Sequence, residues 1–329
     1  MDAGLHHEIF QIKDDRTFRE FALKVFYLQA GSVPVYGEYL KFLKIDPRKV
    51  RRLEDIPFLP VEFFRTHRVI CRGMDPEIVF ESSGITLNAP SRHYVASLAL
   101  YRKSNLNGFR IYYGEPQRLC ILALLPSYLE RSGSSLVHMA ETLISQSGHP
   151  DSGFYLDNLR ELSSVLEARN RDRHPTLLLG VSFALLEMAE RFPLQLGSHV
   201  TVMETGGMKG RRKELVRDEL HRVLIRAFGV SSIHSEYGMT ELLSQAYSSG
   251  FGMFRCPPWM AVLIRDPNDP LSLVTGGQTG GINVIDLANL YSCSFLATGD
   301  LGKTHDGDSF EVLGRFDHSD LRGCNLLVS

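Results

Sequence analysis

Residues 78–93 read IVFESSGITLNAPSRH. A short apolar run, Ile78-Val79-Phe80, leads into Ser82, Ser83, Gly84 and Thr86, and then to Pro90, Arg92 and His93. Glycine and small hydroxylated residues let backbone N–H groups come close to an anion, and their hydroxyls add donors, so this loop can hold a phosphate chain. The GxxxxGK[ST] spacing is absent, which excludes the Walker type. A second stretch, Ser235-Glu236-Tyr237-Gly238-Met239-Thr240-Glu241, puts an aromatic ring, a tight turn, a hydroxyl and a carboxylate side by side. Tyr237 suits stacking on a base, Thr240 a phosphate contact and Glu241 a Mg²⁺ ion, since Mg²⁺ takes hard oxygen ligands and bridges phosphates to carboxylate. The same residues also suit a plain strand-to-helix turn with Glu241 in the first helical turn, where the dipole favours it. In Thr298-Gly299-Asp300, the Asp can accept hydrogen bonds from two sugar hydroxyls; taken alone, such a tripeptide reads more readily as a turn.

The elements that must position these residues alternate. Apolar spacing predicts a helix over 17–29 with Thr17 as its cap. Residues 56–64, IPFLPVEFF, start extended because each proline disfavours helix before it, and they read as core packing or a pocket wall. A helix is expected over 94–106, a buried strand over 118–125, and a helix over about 135–146. Next come a strand over 176–181, a helix over 183–191, a strand over 199–204 closed by Gly206-Gly207, and a charged helix over 211–228. Residues 231–234 are strand-like. Short, wholly apolar strands alternating with helices indicate an α/β fold, a parallel sheet covered by helices. Ligands bind outside the carboxyl ends of such strands. The phosphate loop, the Gly206-Gly207 turn and the SEYGMTE stretch all fall there. Beyond about residue 250 the pattern changes to strands (261–265, 281–286, 293–297), a smaller β subdomain. The expected division is an N-terminal helical region over 1–76, a core over 77–312, and a hinge motif with tail over 313–329.

Composition narrows the function classes. Apolar residues make up 43% of the 329, and charged residues 22%, as in ordinary soluble domains. A formal net charge of −2 gives no basic field for nucleic acid. Cys71, Cys120, Cys256, Cys293 and Cys324 form no CxxC pair, so neither a zinc site nor a disulfide framework is indicated, and a reducing cytoplasmic setting fits. No signal pattern and no membrane span are expected.

Order and spacing carry more than any single motif. A Ser/Thr/Gly loop, then SEYGMTE, then TGDLG, then LGRFDHSDLRG resembles the adenylate-forming superfamily of acyl-CoA synthetases, luciferases and adenylation domains over about residues 78–323. IPFLPVEFF, SSGITLNAPSRHY, METGGMKGRRKEL and the ending RGCNLLVS are similar to the acyl-protein synthetases of bacterial bioluminescence, the LuxE type. The resemblance implies ATP·Mg²⁺-dependent activation of a fatty acid, transfer to the enzyme's own cysteine, and delivery to a partner acyl reductase. It implies Ser82, Ser83, Gly84 and Thr86 as the phosphate loop and Tyr237, with Glu236 and Gly238 beside it, as the adenine site. Thr240 becomes a phosphate contact and Glu241 the Mg²⁺ ligand. Asp300 and Arg315 become ribose contacts, Gly206 and Gly207 line the adenine and acyl pocket, and Cys324 is the acyl acceptor. The loop departs from the superfamily pattern at Ile85 and Leu87, its usual lysine is missing, and the small C-terminal domain of the superfamily is expected to be absent.

In the implied chemistry a carboxylate attacks the α-phosphorus of ATP. The obstacle is an anion approaching a polyanion, so Glu241-bound Mg²⁺, loop N–H groups and a cation such as Arg92, His93 or Lys209 would stabilise the transition state. Two rival readings stand beside it. One is adenylation of another acid, such as an aromatic one, for a separate carrier protein, amine or acyltransferase partner. The other is a degenerate nucleotide-binding subunit.

Overall fold

A computed structural model describes residues 4–82, 89–126, 133–156, 158–206, 215–274, 277–305 and 309–316. The chain opens with helices α1 (Leu5–Glu8), α2 (Asp15–Ser32) and α3 (Pro34–Phe42). Strand β1 (Leu59–Pro60), helix α4 (Phe63–Thr66) and a hairpin of β2 (Ile78–Glu81) and β3 (Arg92–Val95) follow. Helices and strands then alternate through α5 (Leu98–Tyr113), β4 (Cys120–Leu124), α6 (Ser135–Ser147), β5 (Gly153–Phe154) and α7 (Leu159–Arg171). The alternation continues with β6 (Thr176–Val181), α8 (Ser182–Arg191), β7 (Val200–Thr205), α9 (Arg217–Phe228) and β8 (His234–Tyr237). The remainder is strands: β9 (Ala246–Ser248), β10 (Met253–Arg255), β11 (Met260–Arg265), β12 (Gly280–Asp286), β13 (Phe295–His305) and β14 (Ser309–Arg315).

Twelve strands form one sheet in the order β11-β12-β13-β14-β10-β9-β8-β7-β6-β4-β5, with β1 added alongside β13. The run β8-β7-β6-β4-β5 is parallel, as the wholly apolar strands predict. Every residue of β4 and β6 is buried. Each Leu or Ile in them contributes about 1.5–3 kcal/mol of burial. From β9 to β11 the pairing is antiparallel, so the late strands continue the same hydrogen-bonded sheet. At the ends of β7 and β8, Glu204 and Ser235 face α9 through His221, while Glu236 lies across from Tyr247, whose ring meets Phe109, Tyr112 and Tyr113 of α5. Helices therefore cover both faces where the motifs sit.

Local chemistry shifts several boundaries. The cap of α2 is Asp14, whose side chain accepts from Thr17 N–H, and not Thr17 itself. The helix expected over 94–106 starts at Leu98, capped by Ser97, because residues 92–95 pair with β2. The strand expected over 231–234 runs instead from His234 to Tyr237, which puts half of SEYG inside it. Thr298-Gly299-Asp300 lies within β13 and is no turn. Residues 56–64 pack in the core: Leu59 and Phe64 are buried, and Leu59-Pro60 pair with Leu296-Ala297 immediately before that tripeptide. Buried Gln29 joins α2 to the sheet, donating to the Asn289 and Leu290 carbonyls and accepting from Ser294 N–H. Among the described residues no helix is long and apolar enough to cross a membrane.

Candidate active site

Strand geometry sends Tyr237 to the face opposite Glu236. The Tyr237 ring is buried near Phe254 and Phe310, with centroids 5.9 and 5.6 Å away. Its hydroxyl donates to Asp300 Oδ2 at 2.9 Å, across 63 residues of sequence. Burial, and then the charge of Asp300, push the phenol well above its usual range, so it is a donor at any ordinary pH. Asp300 pairs across the strands with Arg315, whose Nε reaches Asp300 Oδ1 at 3.3 Å. The Asp300 side chain is 10% exposed and that of Arg315 is 80% exposed. One carboxylate is thus fixed from both sides. A carboxylate offers about four acceptor positions, so lone pairs remain for a further diol.

The strand carrying Asp300 has a support that sequence reasoning missed. Buried Arg265 donates to the carbonyls of Ile282 and Thr298 and to Asn283 Oδ1 at 2.6–2.9 Å. Its guanidinium fills the place where a Cβ on Gly281 would sit. The signal was present in sequence as a lone Arg ending an apolar strand and a Gly pair two strand-lengths away.

Thr240 and Glu241 lie on a turn after β8, and no helix follows them. Glu241 is buried, and burial raises its carboxyl above the usual range; the Ser91 hydroxyl and, at a distance, Arg315 and Arg65 offset this in part. Ser91 in turn pairs with Ser82, which opens the loop expected to hold phosphate: Ser82 N–H donates to the Ser91 carbonyl and Ser91 N–H to Ser82 Oγ. Glu241 and the loop base therefore meet. Among the described residues no group of three or more His, Cys, Asp or Glu could cage a metal. A single buried carboxylate beside the loop expected to hold phosphate fits Mg²⁺, which commonly takes one or two carboxylates plus substrate phosphates.

His93 does not supply the positive charge expected of it. It is wholly buried, and burial pushes it down to about 4, so the ring is neutral at neutral pH. Its Nδ1 lies 2.9 Å from the Thr240 carbonyl and its Nε2 lies 3.1 Å from Asn289 Oδ1. Asn289 Nδ2 donates to the Glu241 carbonyl at 2.8 Å and to that of Cys293 at 3.0 Å. The pair clamps both carbonyls of the Thr-Glu turn, and Phe64 packs edge-on against the imidazole. A neutral ring has one N–H to give, so replacing His93 with Phe leaves one buried oxygen without its donor and is expected to lower stability by about 1–3 kcal/mol. Urea denaturation at neutral pH measures this; an unchanged midpoint would remove the clamp from consideration.

Arg92 sits on the outer hairpin with a 54% exposed side chain, ion-paired to Glu81 at 3.1 Å, which offsets its charge. Gly206 follows β7, and its carbonyl accepts from Ser182 Oγ at 2.8 Å. Glu204, just before it, is a further buried carboxylate that sequence reasoning left unassigned. Burial opposes its ionisation, but His221, Arg217 and Ser235 outweigh that and hold it below the usual range. Arg217 Nε lies 3.3 Å from Glu204, and its Nη1 donates to the Val312 carbonyl, so α9 ties β7 to β14. Glu236 accepts from the Thr205 hydroxyl, and a Cβ on Gly238 would meet its Oε1, so a larger residue there would require the Glu236 carboxyl to shift. Ser83, Gly84, Thr86, Gly207, Lys209 and Cys324 lie outside the described residues. A cavity of about 440 Å³ at the end of β5, lined among others by Asp151, Tyr155, Asn158 and Glu161, touches none of the motif residues.

No curated protein sequence matches the chain. Among solved structures, ATP-bound MatB from Rhodopseudomonas palustris superposes with a TM-score of 0.56 at 20% identity, over 75% of this chain and 49% of that one. The 2-hydroxyisobutyryl-CoA ligase HCL, in complex with 2-HIB-AMP and CoA, superposes with a TM-score of 0.70 at 17% identity, over 92% of this chain and 68% of that one. The chain thus spans about half the length of MatB. These likenesses establish the fold, that of the adenylate-forming ligases. The profile of the family described as acyl-protein synthetase, LuxE, matches residues 155–329, more than half of the sequence, and the chain belongs to that family.

Proposed function

We propose that this protein activates a carboxylic acid with ATP and passes the acyl group to a protein thiol, first of all Cys324. The observation that supports this most is the Tyr237–Asp300–Arg315 arrangement. The Asp300 carboxylate, with acceptor positions left for a diol, is bonded to Tyr237 at the end of β8, and Glu241 follows on the turn after that strand, its carboxyl meeting the base of the expected phosphate loop. In the first step a carboxylate oxygen bonds to the α-phosphorus while the bond from that phosphorus to the pyrophosphate oxygen breaks. No general base is required, because the acid is already ionised at neutral pH. Asp300 and Arg315 bind the ribose hydroxyls, and Tyr237 orients Asp300 and borders the base beside Glu236 and Gly238. The N–H groups around Ser82, Ser83, Gly84 and Thr86, with Thr240, hold the phosphates, and Lys209 and Arg92 add positive charge. Glu241 would hold Mg²⁺, which when bound neutralises developing phosphate charge. Gly206 and Gly207 leave room for the adenylate. In the second step the Cys324 thiolate attacks the acyl carbon, the carbon–oxygen bond to AMP breaks, and AMP leaves.

A fatty acid is the proposed substrate, and an acyl reductase, an acyltransferase or a carrier protein the proposed recipient. The division into residues 1–76, 77–312 and 313–329 belongs to the same proposal.

The test is carboxylate-dependent ATP–pyrophosphate exchange. Wild type is expected to exchange with one class of acid, and Glu241→Ala to lose the rate by on the order of 100-fold or more. Labelled acid should then remain on the wild-type chain as a hydroxylamine-sensitive adduct and be missing from Cys324→Ser. Exchange without an adduct would replace the self-acylation step by direct transfer to a separate acceptor. No exchange with any acid would sink adenylation itself.

A further inference from the structure

The formal net charge of −2 hides one strongly positive stretch. Residues 41–52 read KFLKIDPRKVRR, with six cations against the single acid Asp46, a local charge of +5. Helix α3 ends at Phe42, and its dipole accounts for Lys41 in the last turn. It does not account for Lys44, Arg48, Lys49, Arg51 and Arg52, which follow the helix and are all exposed. The stretch is anchored from beneath. Val50 and Leu53 are buried, and the Tyr27 hydroxyl of α2 donates to the Val50 carbonyl at 2.6 Å while accepting from Arg51 Nη1 at 3.3 Å. The cations are therefore held outward on a fixed surface. Asp46 is used locally, accepting from the Arg48 N–H and pairing with its guanidinium, and Glu54 is shared by Arg19 and Arg52. Lys41, Lys44 and Lys49 make no ion pair among the described residues. Exposed Glu38 and Asp55 bound the patch on either side.

Two features of the patch run against the stability and solubility of the free chain. Phe42, between these cations in sequence, is 85% exposed. Lys44 has a φ of 59°, the left-handed conformation, at the helix end where Ile45 N–H turns back to the Leu40 carbonyl. Glycine is the residue that fits such an end without strain. An exposed lysine in that place and a bare aromatic ring beside it serve no packing, and both are explained by an occupant that takes cations and an apolar ring together. We propose that this face docks on an anionic lipid surface, with the cations at the level of the phosphates and Phe42 below them among the acyl chains. An acidic protein face would answer the lysines but leave Phe42 without an apolar counterpart; a bilayer offers both, one under the other. The patch is also joined to the rest of the molecule. The Tyr36 and Tyr39 hydroxyls of α3 donate to the Pro57 and Phe58 carbonyls, just before β1, which lies along the strand that carries Asp300. On the adenylation reading, docking brings the chain to where a long-chain acid resides; the docking itself does not depend on that reading.

The test is co-sedimentation of the full chain with vesicles of phosphatidylcholine alone or with about 30% phosphatidylglycerol. Wild type is expected on the anionic vesicles only, and to leave them as ionic strength rises to about 0.5 M, because salt screens exposed charges. Lys44→Gly should weaken binding about fivefold, the worth of one lysine at such a surface. The same variant should keep or raise the urea midpoint, since glycine suits the left-handed position, and this separates lost binding from lost folding. Phe42→Trp reports on the ring: the chain's one tryptophan, Trp259, is buried, so a blue shift of emission on anionic vesicles puts position 42 among the acyl chains. Equal binding to both vesicles, binding to neither, or a Lys44→Gly variant that binds as tightly as wild type would overturn the proposal. An emission that stays put on the vesicles, with polyglutamate bound instead, would assign the face to an acidic protein and overturn it too. None of these readouts requires exchange activity, so failure here leaves the adenylation reading standing, and failure of exchange leaves this one.

Discussion

Asp300→Ala is expected to lower kcat/KM for ATP in the exchange reaction by about 10²- to 10³-fold, mostly through KM. Hydrogen bonds to a charged group are worth about 1.5–3 kcal/mol each, and a ribose diol would lose two. The structure also supplies a control. Tyr237 donates to one oxygen of Asp300 and Arg315 approaches the other. Tyr237→Phe removes only the orienting bond and leaves the carboxylate in place, so it should cost about tenfold. If both variants lose activity equally, Asp300 acts as the acceptor that satisfies a buried phenol and has no part in nucleotide binding. Asp300→Asn separates these further, since an amide oxygen still accepts from Tyr237 but carries no charge. Urea denaturation of each variant shows whether leaving the Tyr237 hydroxyl unpaired weakens the fold, an effect of about 1–3 kcal/mol.

The parts legible in sequence were those governed by local rules. Strands buried on both faces announce themselves as apolar runs, so β4, β6 and β7 fall within two residues of where the pattern put them. The loop, the SEYGMTE stretch and the TGD stretch could be found because glycine, hydroxyl and carboxylate cluster tightly in each. What could not be read were relations across long sequence distances. Nothing near His93 announces that its ring reaches the Thr240 carbonyl, or that Asn289 completes the clamp on Glu241. The residue types suggested a cation; burial made it neutral. TGD looked like a turn because Gly and Asp favour turns. It is strand because Arg265 holds the Thr298 carbonyl and β12 and β14 flank Gly299 on either side. The helix start misplaced at 94 has the same cause, a pairing of residues 92–95 with β2 that only the hairpin dictates.

Glu236→Gln should make the protein more stable at pH 8 and leave it nearly unchanged at pH 4. Burial, reinforced by the charge of Glu204, pushes the Glu236 carboxyl up to about 7, although the Thr205 hydroxyl pulls the other way. A carboxyl raised in the folded state binds its proton more tightly there than in the unfolded chain. Below its ordinary value of 4.5 both states are protonated, and the group adds no pH dependence. Between 4.5 and about 7 the unfolded chain ionises and the folded one does not, so stability falls as pH rises. Above that both are ionised and the loss is complete, about 3 kcal/mol in all. Glutamine removes the ionisation and keeps an oxygen for Thr205, while its new amide N–H faces the region where Gln245 Oε1 has no partner. Glu204 works in the opposite sense: its lowered carboxyl contributes stability that is lost as pH falls through the acid range, but it is common to both proteins and largely cancels in the difference. Urea denaturation of wild type and variant from pH 4 to pH 8 gives that difference directly. Curves that separate steadily between pH 4.5 and 7 and then run parallel identify Glu236 as the group. Curves parallel throughout would mean that the folded protein holds Glu236 ionised.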